Sequence, residues 1–241
     1  MVDFHVIIPA KYDSHRFPGK ALVDILGRPM IQRVYEDAHK SKAKSVTIAT
    51  DSTRIHKACM KFTDSIQLTE TFPASGTDRC AEACIAMGLD DDDIVVNLQG
   101  NEPLMPPSLI NQVAENLDYF LTQCDISTLY THTTEINNPN HVKVVTDEND
   151  IALYFSRSPI PHGAYTVKRH IGIYAYRVKF LKNFVKMVKC ALEEFEQLEQ
   201  LRAMYNGARI RLDEAVEDPG HDVTVPSDVA MVIKELENGC R

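Results

Sequence analysis

The chain reads as an α/β protein built on a mostly parallel sheet, with an antiparallel or mixed addition in its second half. Three observations predict this. Short apolar runs alternate with helix-period stretches from residue 6 to about residue 121, the pattern of βα units joined by right-handed crossovers. The first apolar run empties into a basic, glycine-containing loop ahead of a helix, the usual place for an anion in an open α/β sheet. From about Asp125 the alternation gives way to closely spaced short runs separated by turn residues, which suits antiparallel pairing. The 241 residues suffice for one domain with a sizeable core. Its halves, about 1–124 and 125–241, differ in pattern rather than being separated by a linker.

Taken in order, Val6-Ile7-Ile8 is long enough for a buried strand, and Pro9 ends it by removing a ladder donor. The loop that follows carries Lys11, His15, Arg16 and Lys20 around the turn pair Pro18-Gly19. Leu22, Ile25, Met30, Ile31 and Val34 then supply the apolar face of a turn and of a helix over 30–39. Strands over 45–49 and 65–68 flank a helix over 53–61, and Thr50-Asp51-Ser52 offers oxygen-bearing side chains to cap that helix. Ser75 to Arg79 opens a helix over 77–87 in the same way. The acidic run Asp90 to Asp93 is a solvated turn into a strand over 94–98, and a helix follows over 109–121. Strands over 126–130, 142–146, 152–155 and 171–176 make up the changed pattern. Leu192, Phe195, Leu198, Leu201 and Met204 fall near helical spacing, so 192–205 reads as one helix closed by Asn206-Gly207. A late strand over 210–216 and a helix over 226–236 complete the chain.

Composition narrows the function. Against 26 basic side chains stand 34 acidic ones, a net charge of −8, which argues against general nucleic-acid binding. A basic loop in an acidic chain is a local device, suited to a small anion. Cys59, Cys80, Cys84, Cys124, Cys190 and Cys240 show no paired metal spacing; Cys80 and Cys84, four apart on an expected helix, read as small core residues, and the chain as a reduced, cytoplasmic protein. The opening residues lack the basic n-region and apolar core of a signal peptide, and no apolar run approaches the length of a membrane span. There is no GxGxxG after the first strand, which disfavours a dinucleotide-dependent oxidoreductase, and no GxxxxGK[ST] of a Walker-type enzyme.

Four places follow strand ends: the basic loop, Thr50-Asp51, Gln99 to Pro103, and the neighbourhood of Arg157. Ligands collect at the carboxyl edge of open α/β sheets. The segments IIPAKYDSHRFPGKAL, ATDSTRI, ASGTDRCAEA, VVNLQGNEPLMPP, ALYFSRSPIP, RHIGIYAYRVKFL and LEQLRAMYNGARI, ordered between about residue 4 and residue 236, closely resemble the 3-deoxy-manno-octulosonate cytidylyltransferase family. That resemblance implies a three-layer α/β/α nucleotidyltransferase fold with an antiparallel dimerisation segment. It also implies a homodimer that joins CTP to an eight-carbon sugar acid and releases pyrophosphate, feeding lipopolysaccharide synthesis.

The resemblance extends to single residues. Lys11, Arg16 and Lys20 match the triphosphate loop, Ser75 and Arg79 the motif holding base and phosphates, and Gln99 the residue beside the sugar and the α-phosphate. Lys20, Lys11 and Gln99 are the implied catalytic residues, and Asn101 falls among the nucleotide-binding positions. Arg157, His170, Tyr174, Glu199 and Gln200 match the sugar-acid pocket, with Arg157 gripping the substrate carboxylate bidentately.

Three positions depart from the family. Where relatives read Gln-Gly-Asp, with the Asp on magnesium, Asn101 stands here; the second family Asp, two residues before a proline, is Thr224; and Lys11 replaces Arg. Two neutral ligands do not balance Mg2+ as two carboxylates do. Asp222 lies two residues before Thr224, and a local slip is expected to be needed to bring it into place. The expectations are therefore a magnesium-dependent cytidylyltransferase with weakened metal binding, or a catalytically weak or inactive relative that keeps the binding pocket.

Overall fold

The computed structural model describes residues 2–14, 16–70 and 75–239; His15 and Cys240, singled out above, lie outside them. In chain order the elements are β1 Phe4–Ala10, a single 3-10 turn Lys20–Leu22, the hairpin β2 Asp24–Ile25 and β3 Arg28–Pro29, α1 Met30–Ala38, β4 Ser45–Thr50, α2 Thr53–Cys59, β5 Ile66–Leu68, α3 Gly76–Ala86, β6 Ile94–Asn97 and α4 Pro107–Tyr119. The second half runs β7 Ile126–Thr133, β8 Lys143–Thr146, β9 Ala152–Ser156, β10 Val167–Arg177, α5 Val178–Phe184, α6 Ala191–Glu196, α7 Gln200–Tyr205, β11 Ile210–Glu214 and α8 Asp228–Glu237.

Among the described residues one nine-stranded sheet has the order β11-β7-β10-β6-β1-β4-β5, with β8 and β9 continuing from β10. β1 pairs in parallel with β4 and β6, β4 with β5, and β11 with β7, whereas β10 runs antiparallel to both β6 and β7. One reversed strand inside an otherwise parallel row has a consequence for the site. The carboxyl ends of β1, β4, β6 and β7 meet the amino end of β10 at one edge, so residues early in β10 face the loops after β1 and β6.

Alternation along β1 divides the core into two layers. Phe4, Val6 and Ile8 pack with Ile31, Val34, Ile55 and Leu109 from α1, α2 and α4, while Ile7 faces Cys80, Ala81 and Cys84 of α3 and Phe184 of α5. The expected three-layer arrangement is present. The cysteines behave as core: Cys59, Cys80, Cys84, Cys124 and Cys190 are buried and unpaired. Burial pushes the Cys59 and Cys84 thiols up to about 12. A smaller cluster of Ile25, Met30, Leu104, Val223 and Val232 ties the β2–β3 hairpin and α8 together. No described helix is long and apolar enough to cross a membrane.

Three local readings change. The expected helix over 192–205 is two short helices, because Gln197 takes a left-handed φ of 53° after α6 and redirects the chain. The strand expected over 171–176 is the eleven-residue β10, with a register shift between Ile171 and Tyr174. Neither α5 nor the β2–β3 hairpin was expected: the hairpin strands are two residues each, and α5 follows β10 with no intervening turn.

Lys143 on β8 is fully buried, and its ammonium donates to the carbonyls of Asn138 (3.0 Å), His141 (2.7 Å) and Arg157. It fastens the 138–141 turn to the end of β9. Replacing it strands those carbonyls without a donor, and hydrogen bonds to a charged group are worth about 1.5–3 kcal/mol each. Lys143→Met is therefore expected to lower unfolding free energy by about 3 kcal/mol. A urea midpoint equal to that of the parent would show the carbonyls to be satisfied otherwise.

Candidate active site

The carboxyl edge opens as a cleft of about 210 Å³ lined by Pro9, Ala10, Lys11, Lys20, Ala21, Ser75, Gly76, Arg79, Gln99, Gly100 and Asn101. A second hollow of about 550 Å³, lined by Tyr12, Asp51 and Arg54 among others, shares Lys11 and Arg79 with it. Two glycines shape the edge. Gly19 has φ +71° beneath the Tyr12 ring and donates its N–H to the Tyr12 carbonyl (2.8 Å), folding the basic loop back so that Lys20 points into the cleft. Gly100 lets the β6 loop approach β1 closely, since a Cβ there would stand 3.0 Å from the Pro9 carbonyl oxygen.

The cations differ in how they are held. Arg79 is buried and ion-paired to Asp51 at 3.0 Å, with a further bond to Thr69. Asp51 therefore serves Arg79, and Ser52 caps α2 by accepting from the Ile55 N–H. Lys20 lies 3.4 Å from the Val223 carbonyl. Burial, then repulsion from Arg16, pushes its ammonium below the usual lysine range, against the pull of Asp222 and Glu102. Lys11 is exposed and makes no ion pair among the described residues. Arg16 is exposed and stands outside the lining.

Ser75 caps α3 by accepting from the Asp78 N–H at 3.1 Å. Its hydroxyl also meets the Glu199 carboxylate, whose second oxygen accepts from Thr77 Oγ1 at 2.9 Å. Glu199, at the start of α7, thus latches onto the start of α3, and burial holds its carboxyl above the usual range. Arg202 braces the same junction through paired bonds to Glu193 at 2.8 and 2.6 Å. Gln200 is buried beside this latch. Gln99 donates to Asn97 Oδ1 at 3.1 Å.

Across the edge, His170 sits edge-on to Phe155 and tilted against Tyr174, with ring centroids 5.1 and 5.2 Å away. Its Nε2 is 3.0 Å from Thr128 Oγ1, which donates its single hydrogen to the Ile173 carbonyl at 2.6 Å. His170 Nε2 therefore carries the ring proton, leaving Nδ1 as an acceptor. Burial, reinforced by the Arg169 charge, pushes the imidazole down to about 3. Arg157 does not face this group: Nε donates to the Glu196 carbonyl (2.9 Å), one terminal nitrogen to Pro139 (3.0 Å) and the other to Gln197 (3.3 Å). Its guanidinium is committed to backbone, and the Glu196 carboxylate clamps Ser156 and the Arg157 N–H.

Sequence reasoning missed Thr128 and Glu196, and it set Asp51 and Glu102 at strand ends without giving either a role in the site. Glu102 is carried up to about 8 by burial and then by repulsion from Asp222. Asp222 Oδ2 accepts from Thr224 Oγ1 at 2.8 Å and lies 3.5 Å from Asn101 Nδ2. The position of Glu102, inside the Gln-Gly-Asn-Glu-Pro loop, was a signal available in the sequence.

Residues 5–210 match the model of a family described as Cytidylyltransferase. A 3-deoxy-manno-octulosonate cytidylyltransferase of Pseudomonas syringae pv. syringae is 47% identical, covering 97% of this chain and 98% of that one. Its counterpart in Thioalkalivibrio sulfidiphilus is 48% identical over 98% of this chain and 99% of its own. The solved structure of CMP:2-keto-3-deoxy-manno-octonic acid synthetase complexed with CTP superposes with a TM-score of 0.91 at 35% identity, covering 99% of this chain and all of that one.

The depressed His170 pKa makes a pH prediction. An unfolded histidine binds a proton below about 6.5 whereas the folded ring resists until about 3, so acidification through this window favours the unfolded chain. Stability attributable to this group is complete above 6.5 and falls towards pH 3. His170→Gln is expected to flatten the fall of urea midpoint between pH 6.5 and 4.5; parallel curves for parent and variant would contradict the burial of this ring.

Proposed function

We propose that this chain, which belongs to the cytidylyltransferase family, transfers CMP from CTP to 3-deoxy-manno-octulosonate or a close eight-carbon analogue and releases pyrophosphate. The observation that carries this reading is one cleft lined jointly by Lys11, Lys20, Ser75, Arg79 and Gln99, in a chain resembling such enzymes along its whole length. When the anomeric hydroxyl attacks the α-phosphorus, negative charge builds on the departing oxygens. Lys20 and the unpaired Lys11 are placed to stabilise that charge more in the transition state than in the ground state. The start of α3 adds free N–H groups, and Arg79, rigid against Asp51, forms the wall between the two hollows.

The sugar acid lies against β10. Neutral His170 accepts a sugar hydroxyl through Nδ1, and Tyr174 packs beside it. Arg169, whose charge reaches both His170 and Glu102, is the arginine we assign to the substrate carboxylate, with Arg157 holding the β9 end in place. Glu199 and Gln200 border this pocket, and through Ser75 and Thr77 Glu199 joins it to the nucleotide side. Magnesium, implied by the resemblance, fits the chemistry of this edge: Asp222, Glu102, Asn101 and Thr224 offer hard oxygen donors. Held there with the nucleotide, it would supply charge neutralisation on the phosphates and a lower pKa for the attacking hydroxyl.

A homodimer is part of the proposal. Leu153, Val188 and Phe195 are exposed by 60, 81 and 84% around the added antiparallel segment, and exposed apolar groups of this size mark interaction surfaces. The reduced, buried cysteines support a cytoplasmic setting.

Pyrophosphate release from CTP with the eight-carbon sugar acid and magnesium is the decisive assay; no release above the nucleotide-only control would reject the transfer. Lys20→Ala is expected to weaken CTP binding by tenfold or more, and undiminished affinity in a titration would show the basic loop to be decorative. Glu199→Gln removes one of two acceptors from the start of α3, so CTP affinity should fall about tenfold, a loss of about 1.4 kcal/mol, along with a raised KM for the sugar. An effect confined to the sugar would show that the latch does not set the nucleotide side.

A further inference from the structure

We infer that Asn97, which stands outside the cleft, is a positioning residue for the transfer reaction, holding the Gln99 carboxamide in the direction the reacting groups need. The inference rests on the transfer reading above and adds to it a residue buried one layer behind the lining. Asn97 is the last residue of β6 and is fully buried. Its neighbours across the sheet are Ile7 of β1 and Tyr174 of β10. Val96 and Leu98 pack with α1 and α4, and Val95 packs with α3, so alternation turns Asn97 to the α3 side.

Gln99, two residues on, returns to that side, and its Nε2 donates to Asn97 Oδ1 at 3.1 Å. The same carboxamide rests on the first residue of α3. A Cβ added to Gly76 would lie 3.5 Å from Gln99 Oε1 and 3.6 Å from Nε2. Held between a strand end and a helix start, the amide keeps one N–H and its oxygen for the cleft, which Gln99 lines and Asn97 does not. A carboxamide free to turn about its last torsion would present these groups in either sense. Beside reacting atoms that freedom matters, since a misplacement of about 1 Å can cost on the order of 10²-fold in rate.

Asn97 is also a poor choice for the fold alone. Asparagine is a weak strand former, and Asn97 Nδ2 is buried with no acceptor among the described residues. A buried donor without a partner loses its hydration uncompensated. Valine, the residue at positions 95 and 96 of the same strand, would avoid that loss. Asn116, Ser127 and His141 also carry a buried unpartnered side-chain atom among the described residues, but none of them is hydrogen-bonded to a residue of the lining. At Asn97 the cost coincides with a bond to Gln99.

The test compares the parent with Asn97→Val, Gln99→Ala and the double variant. In nuclear magnetic resonance of the isotope-labelled full chain, the Gln99 side-chain amide pair is identified by its loss in Gln99→Ala. It should stand apart from the solvent-exposed amides in the parent and move to their position in Asn97→Val. Turnover, read as pyrophosphate release at saturating CTP and sugar acid with magnesium, should fall at least tenfold in Asn97→Val, with CTP affinity within threefold of the parent. In the Gln99→Ala background the same change should cost no more than twofold further, since residues acting through one another are not additive. The urea midpoint of Asn97→Val should equal or exceed that of the parent, which a merely structural asparagine would not allow. An unmoved Gln99 signal, turnover within twofold of the parent, or equal losses in the two backgrounds would overturn the inference. Should Asn97→Val fail to fold, Asn97→Ser, too short to reach Gln99, carries the same readouts. A parent that releases no pyrophosphate would remove the transfer reading, and the amide signal would then decide alone whether Asn97 holds Gln99.

Discussion

Like charges crowded at one sheet edge require opposite charge between them, and that constraint organises the molecule. Lys11, Lys20 and Arg79 share one cleft in a chain whose net charge is −8. Each is managed differently. Arg79 has a permanent partner in Asp51 and acts as a fixed wall. Lys20 is half-buried and feels Asp222 and Glu102 without a close ion pair. Lys11 faces solvent with no ion pair among the described residues. A site with one neutralised, one partly compensated and one uncompensated cation leaves room for an anion of several charges, because water screens Lys11 alone but not the desolvated Lys20.

The reversed strand explains how the second half reaches that edge. A parallel strand in the place of β10 would deliver His170 to the opposite end of the sheet. Running antiparallel between β6 and β7, it brings its early residues to the carboxyl ends of its neighbours, and the register shift after Ile171 turns two carbonyls onto Thr128. The α6–α7 junction then closes the arrangement. Its Glu196 fastens the end of β9, and three residues later Glu199 fastens the start of α3. The turn at Gln197 makes this possible, since an unbroken helix would place Glu196 and Glu199 on one face, pointing the same way.

The first half was legible because local chemistry and long-range geometry coincide there. A buried strand, a terminating proline, a glycine turn and an oxygen-capped helix each act within a few residues, and the structure adds only their convergence. The second half was harder to read. Arg157 after a strand looks like a substrate arginine, and its three carbonyl partners come from residues 139, 196 and 197, separations no pattern reveals. Asp51 looked like a helix cap because caps are local, while its real partner Arg79 is 28 residues away. Helical spacing over 192–205 was real, but one residue in a left-handed conformation divides it. Periodicity records which faces are buried and carries no record of where a chain turns.

The same distinction accounts for Asp222. A carboxylate displaced by two positions looks lost when sequences are compared column by column. In an irregular stretch whose alternate residue is buried, however, side chains two apart share a side, as they do along a strand. Val223 points into the core with Ile25 and Val232, and Asp222 and Thr224 turn together towards Asn101, as their 2.8 Å hydrogen bond records. Position 222 is therefore a structural neighbour of position 224. Thr224 and Asn101 both lie against the one carboxylate, the hydroxyl donating to it and the amide nitrogen standing 3.5 Å away.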